Sequence, residues 1–147
     1  MKIIESLRHK LNKNAELSGQ EKETNKIINK FLEKTNPDVH YKNVGGYGII
    51  AIYIGVEEGK NILLRADIDG LNIPRECQQY LGAGAGAEFK VQGQGQSQSQ
   101  FSHRCGHDGH AAILCGVAMR LGKKRPAKGN VILLFQPAEE TDRKSVV

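Results

Sequence analysis

The chain has 147 residues, a formal net charge of +5, 39% hydrophobic and 5% aromatic side chains, and no Trp. That is enough for one domain with its own core, and no apolar run is long enough to span a bilayer. The charge is mild: basic residues are scattered from Lys22 to Lys42 and cluster only at Lys123-Lys124-Arg125, where cations suit a helix C-terminus. With no stacked aromatics and no nucleic-acid motif, nucleic-acid binding is not expected. The N-terminus lacks a signal-peptide core. Cys77, Cys105 and Cys115 are too few, and odd in number, for a disulfide framework. A reducing, cytoplasmic setting is expected.

Ile3, Ile4, Leu7 and Leu11 recur at helical spacing, which predicts a first helix over residues 2–13. Ser18-Gly19-Gln20-Glu21 reads as a capping box starting a second helix, with Ile27, Ile28, Phe31 and Leu32 on one face and Asn36-Pro37 ending it. Residues 39–44 read as a short strand. Residues 49–54 and 61–66 are aliphatic runs joined by Gly55-Val56-Glu57-Glu58-Gly59, a predicted hairpin. Ile62-Leu63-Leu64 is apolar on both faces, which predicts a central, doubly covered strand. Residues 78–100 alternate Gly, Ala, Gln and Ser and carry too little apolar surface to fold, so a mobile loop is expected there. A largely buried helix is predicted over 110–122, with Cys115 in the core. A fully apolar strand is predicted over 131–135.

The chemistry concentrates in Ser102-His103-Arg104-Cys105-Gly106-His107-Asp108-Gly109-His110. A thiolate, imidazoles and a carboxylate this close together are the ligand types of a transition-metal site. The plain alternative is a polar loop with Asp108 capping the helix. The order strand, helix, strand implies a right-handed crossover between parallel strands. Their C-terminal ends then share one sheet edge, where open α/β sheets bind ligands. Three polar clusters fall there: Asp67 and Asp69, then Cys105, His107 and Asp108, then Glu139-Glu140. Cys105 and His107, two apart on an extended segment, can face one metal. Adjacent glutamates point to different sides, so one can ligate while the other serves as a base.

Leu64-Arg65-Ala66-Asp67-Ile68-Asp69, the Ser-His-Arg-Cys-Gly-His-Asp-Gly-His run and Leu134-Phe135-Gln136-Pro137-Ala138-Glu139-Glu140 resemble the amidohydrolase branch of the aminoacylase-like metallopeptidases. Leu7-Arg8-His9, Glu16-Leu17-Ser18 and Gly48-Ile49-Ile50-Ala51 extend the likeness toward the N-terminus. The resemblance implies a three-layer α/β catalytic domain with a mixed, mainly parallel sheet, here residues 1–147 and incomplete at the C-terminus. It implies two divalent ions (Mn, Zn, Co or Ni) and hydrolysis of small-molecule N-acyl amino acids. Cys105, His107 and Glu140 match its metal ligands, Glu139 its general base, and Asp69 a carboxylate supporting a ligand from behind. Asp67 and His110 receive no ligand role, and His103 is expected near the site. Full-length relatives are expected to be homo-oligomers. The resemblance implies a continuation with a further metal-binding His and a lid and dimerisation domain, which are not expected within these 147 residues. Asn72 and Ala15 stand where the family has Pro. An N-terminal fragment, itself catalytically inactive, is therefore the alternative to a working amidohydrolase.

Overall fold

The computed structural model describes residues 2–73 and 101–142. Helix α1 (Lys2–Lys13) buries Leu7 and Leu11 at the expected spacing. Helix α2 runs Lys22–Leu32 and passes through a 3-10 turn, Glu33–Thr35, before Asn36 turns left-handed at φ 51°. Strands β1 (Val39–Val44), β2 (Gly48–Ile54) and β3 (Glu57–Asp67) follow. The short pair β4 (Leu71–Asn72) and β5 (Phe101–Ser102) precedes helix α3 (His107–Lys123). Strand β6 (Lys128–Gln136) and the single turn α4 (Glu139–Asp142) complete the order. The loop expected over 78–100 lies outside the described residues.

The main sheet has the order β1-β2-β6-β3. Strands β3 and β6 pair in parallel with α3 as their crossover, as the chain order requires, whereas β1-β2 and β2-β6 are antiparallel. The α/β class and mixed sheet stand, with antiparallel pairing outnumbering parallel. The predicted β2–β3 hairpin does not form, because β6 lies between the two strands. The chain instead crosses the end of β6, where Val56 and Glu57 donate to Pro126 and Ala127 carbonyls. Gly129 sits at that crossing with φ +67°, its Cα against the Lys60 carbonyl, in space a side chain cannot share.

Strand β3 is thus an edge and not a covered centre: Ile62 and Leu63 are each 56% exposed. The central apolar strand is β6, whose Leu133 and Phe135 are fully buried with Ile49, Ala51 and Tyr53 of β2 beneath the helices. Cys115 lies in this core, as expected. The alternate residues, including Ile50, Ile52, Ile132 and Leu134, face away from the helices and are half-buried. Among the described residues one helical layer covers one face of the sheet, so two of the three expected layers are present.

Gly129→Ala is expected to destabilise the fold by about 1–3 kcal/mol, since both the backbone angle and the approach to Lys60 must relax. A denaturation midpoint equal to wild type would show that the crossing accommodates a side chain. On β1, His40 Nε2 lies 2.8 Å from Asn29 Oδ1. Burial, then the Lys42 charge, hold this imidazole below its ordinary pKa of 6.5. The unfolded chain therefore binds the proton more readily. The His40 contribution to stability is whole above pH 6.5 and is lost as pH falls through the lower folded value. His40→Gln is expected to shrink the drop in Tm between about pH 7.5 and about pH 5. An undiminished drop would place the effect elsewhere.

Candidate metal centre at the sheet edge

The exits of β3 and β6 are tied together where Ile68 N–H donates to the Gln136 carbonyl at 3.0 Å. Gly70 N–H donates to the Glu16 carbonyl at 2.7 Å, which docks the segment before α2 on the same edge. Asp69, between those anchors, is fully buried. Its Oδ2 accepts from the Ser18 hydroxyl at 2.6 Å and from Glu140 N–H at 2.9 Å. Its Oδ1 lies 3.1 Å from His107 Nδ1. A carboxyl group this deep needs such donors, because burying it bare is costly.

The Asp69 carbonyl lies 2.9 Å from His107 Nδ1 and 3.1 Å from His103 Nδ1. A carbonyl only accepts, so both rings carry a proton on Nδ1, which leaves Nε2 with its lone pair in the neutral ring. His107 Nε2 is 3.9 Å from Glu139 Oε2 and 3.9 Å from Glu140 Oε1. Desolvation holds His103 below the ordinary imidazole value, against the opposing Asp108 charge. Its Nε2 is buried without a hydrogen-bond partner among the described residues.

Cys105, His107 and Glu140 bring one ligand atom each within 4.8 Å of one another, and Asp67, His107 and Glu139 do the same. The three clusters therefore meet, with His107 common to both sets. Among the described residues, buried Glu140 Oε1 has no hydrogen-bond partner. It lies 3.9 Å from His107 Nε2, the ring nitrogen that is an acceptor in the neutral Nδ1–H tautomer. A cation satisfies that arrangement, and the sulfur, nitrogen and oxygen donors fit a borderline transition metal.

The local backbone differs from the sequence expectation in three ways. Cys105 is in a turn, Gly106 is left-handed at φ 80°, and His107 opens α3, so the pair is not on an extended segment. Gly106, not Asp108, is the N-cap. Asp108 is instead buried and accepts from Arg8 Nε at 3.2 Å and Asn12 Nδ2 at 3.1 Å, which lock α1 to α3. The two glutamates also converge on His107 and do not diverge. Ala138 before them is left-handed at φ 57°, which turns the chain so that both lie in the first turn of α4.

Sequence reasoning missed the segment before α2. Ser18 does not cap a helix; it bonds Asp69. Glu21 Oε1 accepts from Gly19 N–H at 2.9 Å and from Ala138 N–H at 2.7 Å. The free N–H groups of α2, at Glu23 and Thr24, go to the Glu16 carboxylate at 3.1 and 2.9 Å. The Ser-x-x-Glu pattern carried a signal of hydrogen-bonding need, but its partners are 51 and 117 residues away. Asp67, to which no ligand role fell, pairs with Arg65 at 2.7 Å and belongs to the second triad. His110 is exposed, its ring centre 5.9 Å from that of His107.

The sequence model of the peptidase family M20/M25/M40 matches residues 63–146, and the chain belongs to that family. It is 38% identical over 136 residues to the N-acetylcysteine deacetylase of Bacillus subtilis, covering 92% of this chain and 32% of that protein. It is 38% identical over 135 residues to the IAA-amino acid hydrolase ILR1-like 2 of Arabidopsis thaliana, covering 91% and 27%. The crystal structure of the Bacillus subtilis YXEP protein, described as a dinuclear metal-binding peptidase of the M20 family, superposes with a TM-score of 0.75 at 36% identity. That match covers 95% of this chain and 35% of the other. The chain thus spans about a third of the length of these relatives.

The two described cysteines differ sharply: Cys105 is exposed, and burial pushes the thiol of fully buried Cys115 far up. With Cys77 replaced by Ser, Cys105 is expected to be alkylated at least about a hundredfold faster than Cys115 in the folded chain. Equal rates by mass spectrometry would contradict the burial of Cys115.

Proposed function

We propose that this chain carries the metal-binding and proton-transfer part of an amidohydrolase that cleaves small N-acyl amino acids. The observation that carries the reading is the convergence of Cys105, His107 and Glu140, drawn from a turn and two helices, on one point. The names of the relatives, a deacetylase and an IAA-amino acid hydrolase, support an N-acyl amino acid as substrate. The dinuclear structural neighbour supports a centre of two divalent ions, of the class Mn, Zn, Co or Ni. Cytoplasmic location rests on the sparse cysteines; no described helix is long and apolar enough to cross a membrane.

Cys105, His107 and Glu140 would hold a metal. Bound there, it would supply a water of lowered pKa and polarise the scissile carbonyl. Asp69 accepts the His107 Nδ1 proton and so keeps Nε2 pointed at the glutamates, the support that ligating imidazoles commonly have. Glu139, nine-tenths buried beside His107, is the general base. Its carboxylate takes a proton from the attacking water and passes it to the departing amine, leaving a carboxylic acid and an amino acid.

A catalytically inactive chain is the second reading. The half-exposed apolar back of the sheet, with Ile54 at 49% and Leu63 at 56%, favours it, because such a face is normally covered. Turnover of N-acetyl amino acids by the purified, metal-loaded chain separates the two.

Cys105→Ala and Glu140→Ala are each expected to weaken Mn or Zn binding at least about tenfold by calorimetry. Unchanged affinity and stoichiometry in both would sink the ligand assignment. Glu139→Gln is expected to keep metal affinity within about threefold and to lower kcat at least about a hundredfold in any active form of the protein. Near-normal kcat would reject Glu139 as the base.

A further inference from the structure

Glu21 begins α2, yet its side chain does nothing for that helix, whose first amides are held by Glu16. It is fully buried, and among the described residues its Oε2 has no hydrogen-bond partner. A buried, half-satisfied carboxylate is costly where it stands and calls for an explanation. Among the described residues, its one long-range hydrogen bond comes from Ala138 N–H, at 2.7 Å and 117 residues away. Ala138 holds a left-handed φ of 57°, a conformation a residue with a Cβ keeps only when its surroundings impose it. Immediately after it come Glu139 and Glu140. Two residues on, Glu140 N–H is held by Asp69 at 2.9 Å. The backbone of the acidic pair is therefore pinned on both sides, by Glu21 before it and Asp69 within it.

We propose that Glu21 is a positioning residue for the Glu139–Glu140 pair. Its carboxylate holds the Ala138 amide, imposes the left-handed turn and so sets where both glutamate carboxylates stand relative to His107. Ser18 and Gly19 belong to the same device: Ser18 secures Asp69, and Gly19 N–H secures Glu21. The segment before α2 is then the clamp on the acidic turn. The consequence for metal binding rests on the ligand role given to Glu140 above; the clamp on the backbone does not.

The test uses the full 147-residue chain. Amide exchange by NMR is read at Ala138 and Glu140 without metal, and Mn affinity is read by calorimetry. In wild type the two amides should be protected together. Glu21→Asp keeps the charge but withdraws the acceptor by one methylene. It is expected to speed exchange at Glu140 about tenfold, although the acceptor Asp69 is untouched, and to weaken Mn binding about tenfold. Glu21→Gln keeps an acceptor oxygen at full reach and should stay within about threefold of wild type in both readouts. Leu32→Ala, which destabilises the core at the opposite end of α2 from Glu21, should lower Tm without moving Mn affinity. An unprotected Ala138 amide in wild type overturns the proposal whether or not the variants fold. So does Glu140 exchange in Glu21→Asp that matches Leu32→Ala at equal stability. Wild type that binds no Mn overturns the ligand assignment, and the exchange arm still decides Glu21. Wild type that binds Mn with an affinity unchanged in Glu21→Asp overturns the positioning role alone.

Discussion

The buried side chain of Asp69 is the point on which the site depends. It sits in the loop leaving β3, and its two oxygens gather donors from three separate parts of the chain: Ser18, His107 and Glu140. A carboxyl group buried that deeply is tolerable only when its lone pairs are filled, and filling them fixes three elements relative to one another. The same residue's carbonyl orients two imidazoles. Cys105, Glu139 and Glu140 can converge only because His107 is turned and the β6 exit is held against it.

The N-terminal helical segment completes this frame. Arg8 and Asn12 of α1 tie down Asp108 in the first turn of α3, Glu16 and Leu17 dock against Gly70, and Glu21 reaches the turn before Glu139. None of these residues belongs to either metal-competent triad. They join a loop, a helix start and a strand exit into a surface with defined side-chain positions. Preorganisation of this kind lets a site bind an ion without ordering its ligands at the moment of binding.

Much of this was legible in advance, for reasons that differ by residue. The helical spacing of Leu7 and Leu11, the aliphatic run ending in Phe135 and the strand–helix–strand order are local patterns, and they placed α1, β6 and the crossover. Cysteine and histidine are few in the chain, and Cys105, His107 and Glu140 stand at or beside element ends, so their meeting followed from topology. Strand β3 was misjudged because an apolar run on both faces signals a covered strand, whereas its outer neighbour is lacking among the described residues. The β2–β3 hairpin failed because a short glycine-bounded connection does not say whether a later strand inserts between its arms. Ser18-x-x-Glu21 was read as a helix cap because its pattern is identical to one; Glu16 had already taken the amides that a cap would serve.

The sequence by itself determined the class of the fold, a set of side chains with the chemistry of metal ligands and their arrival at one sheet edge, because periodicity, residue chemistry and crossover handedness are encoded locally. Only the tertiary structure decided the order β1-β2-β6-β3, the turning of both glutamates toward His107 and the use of Ser18 and Glu21 as supports. Those outcomes depend on hydrogen bonds between residues 51 to 117 positions apart, and the choice of partner for a buried polar group is settled by which donors the packed core brings within reach.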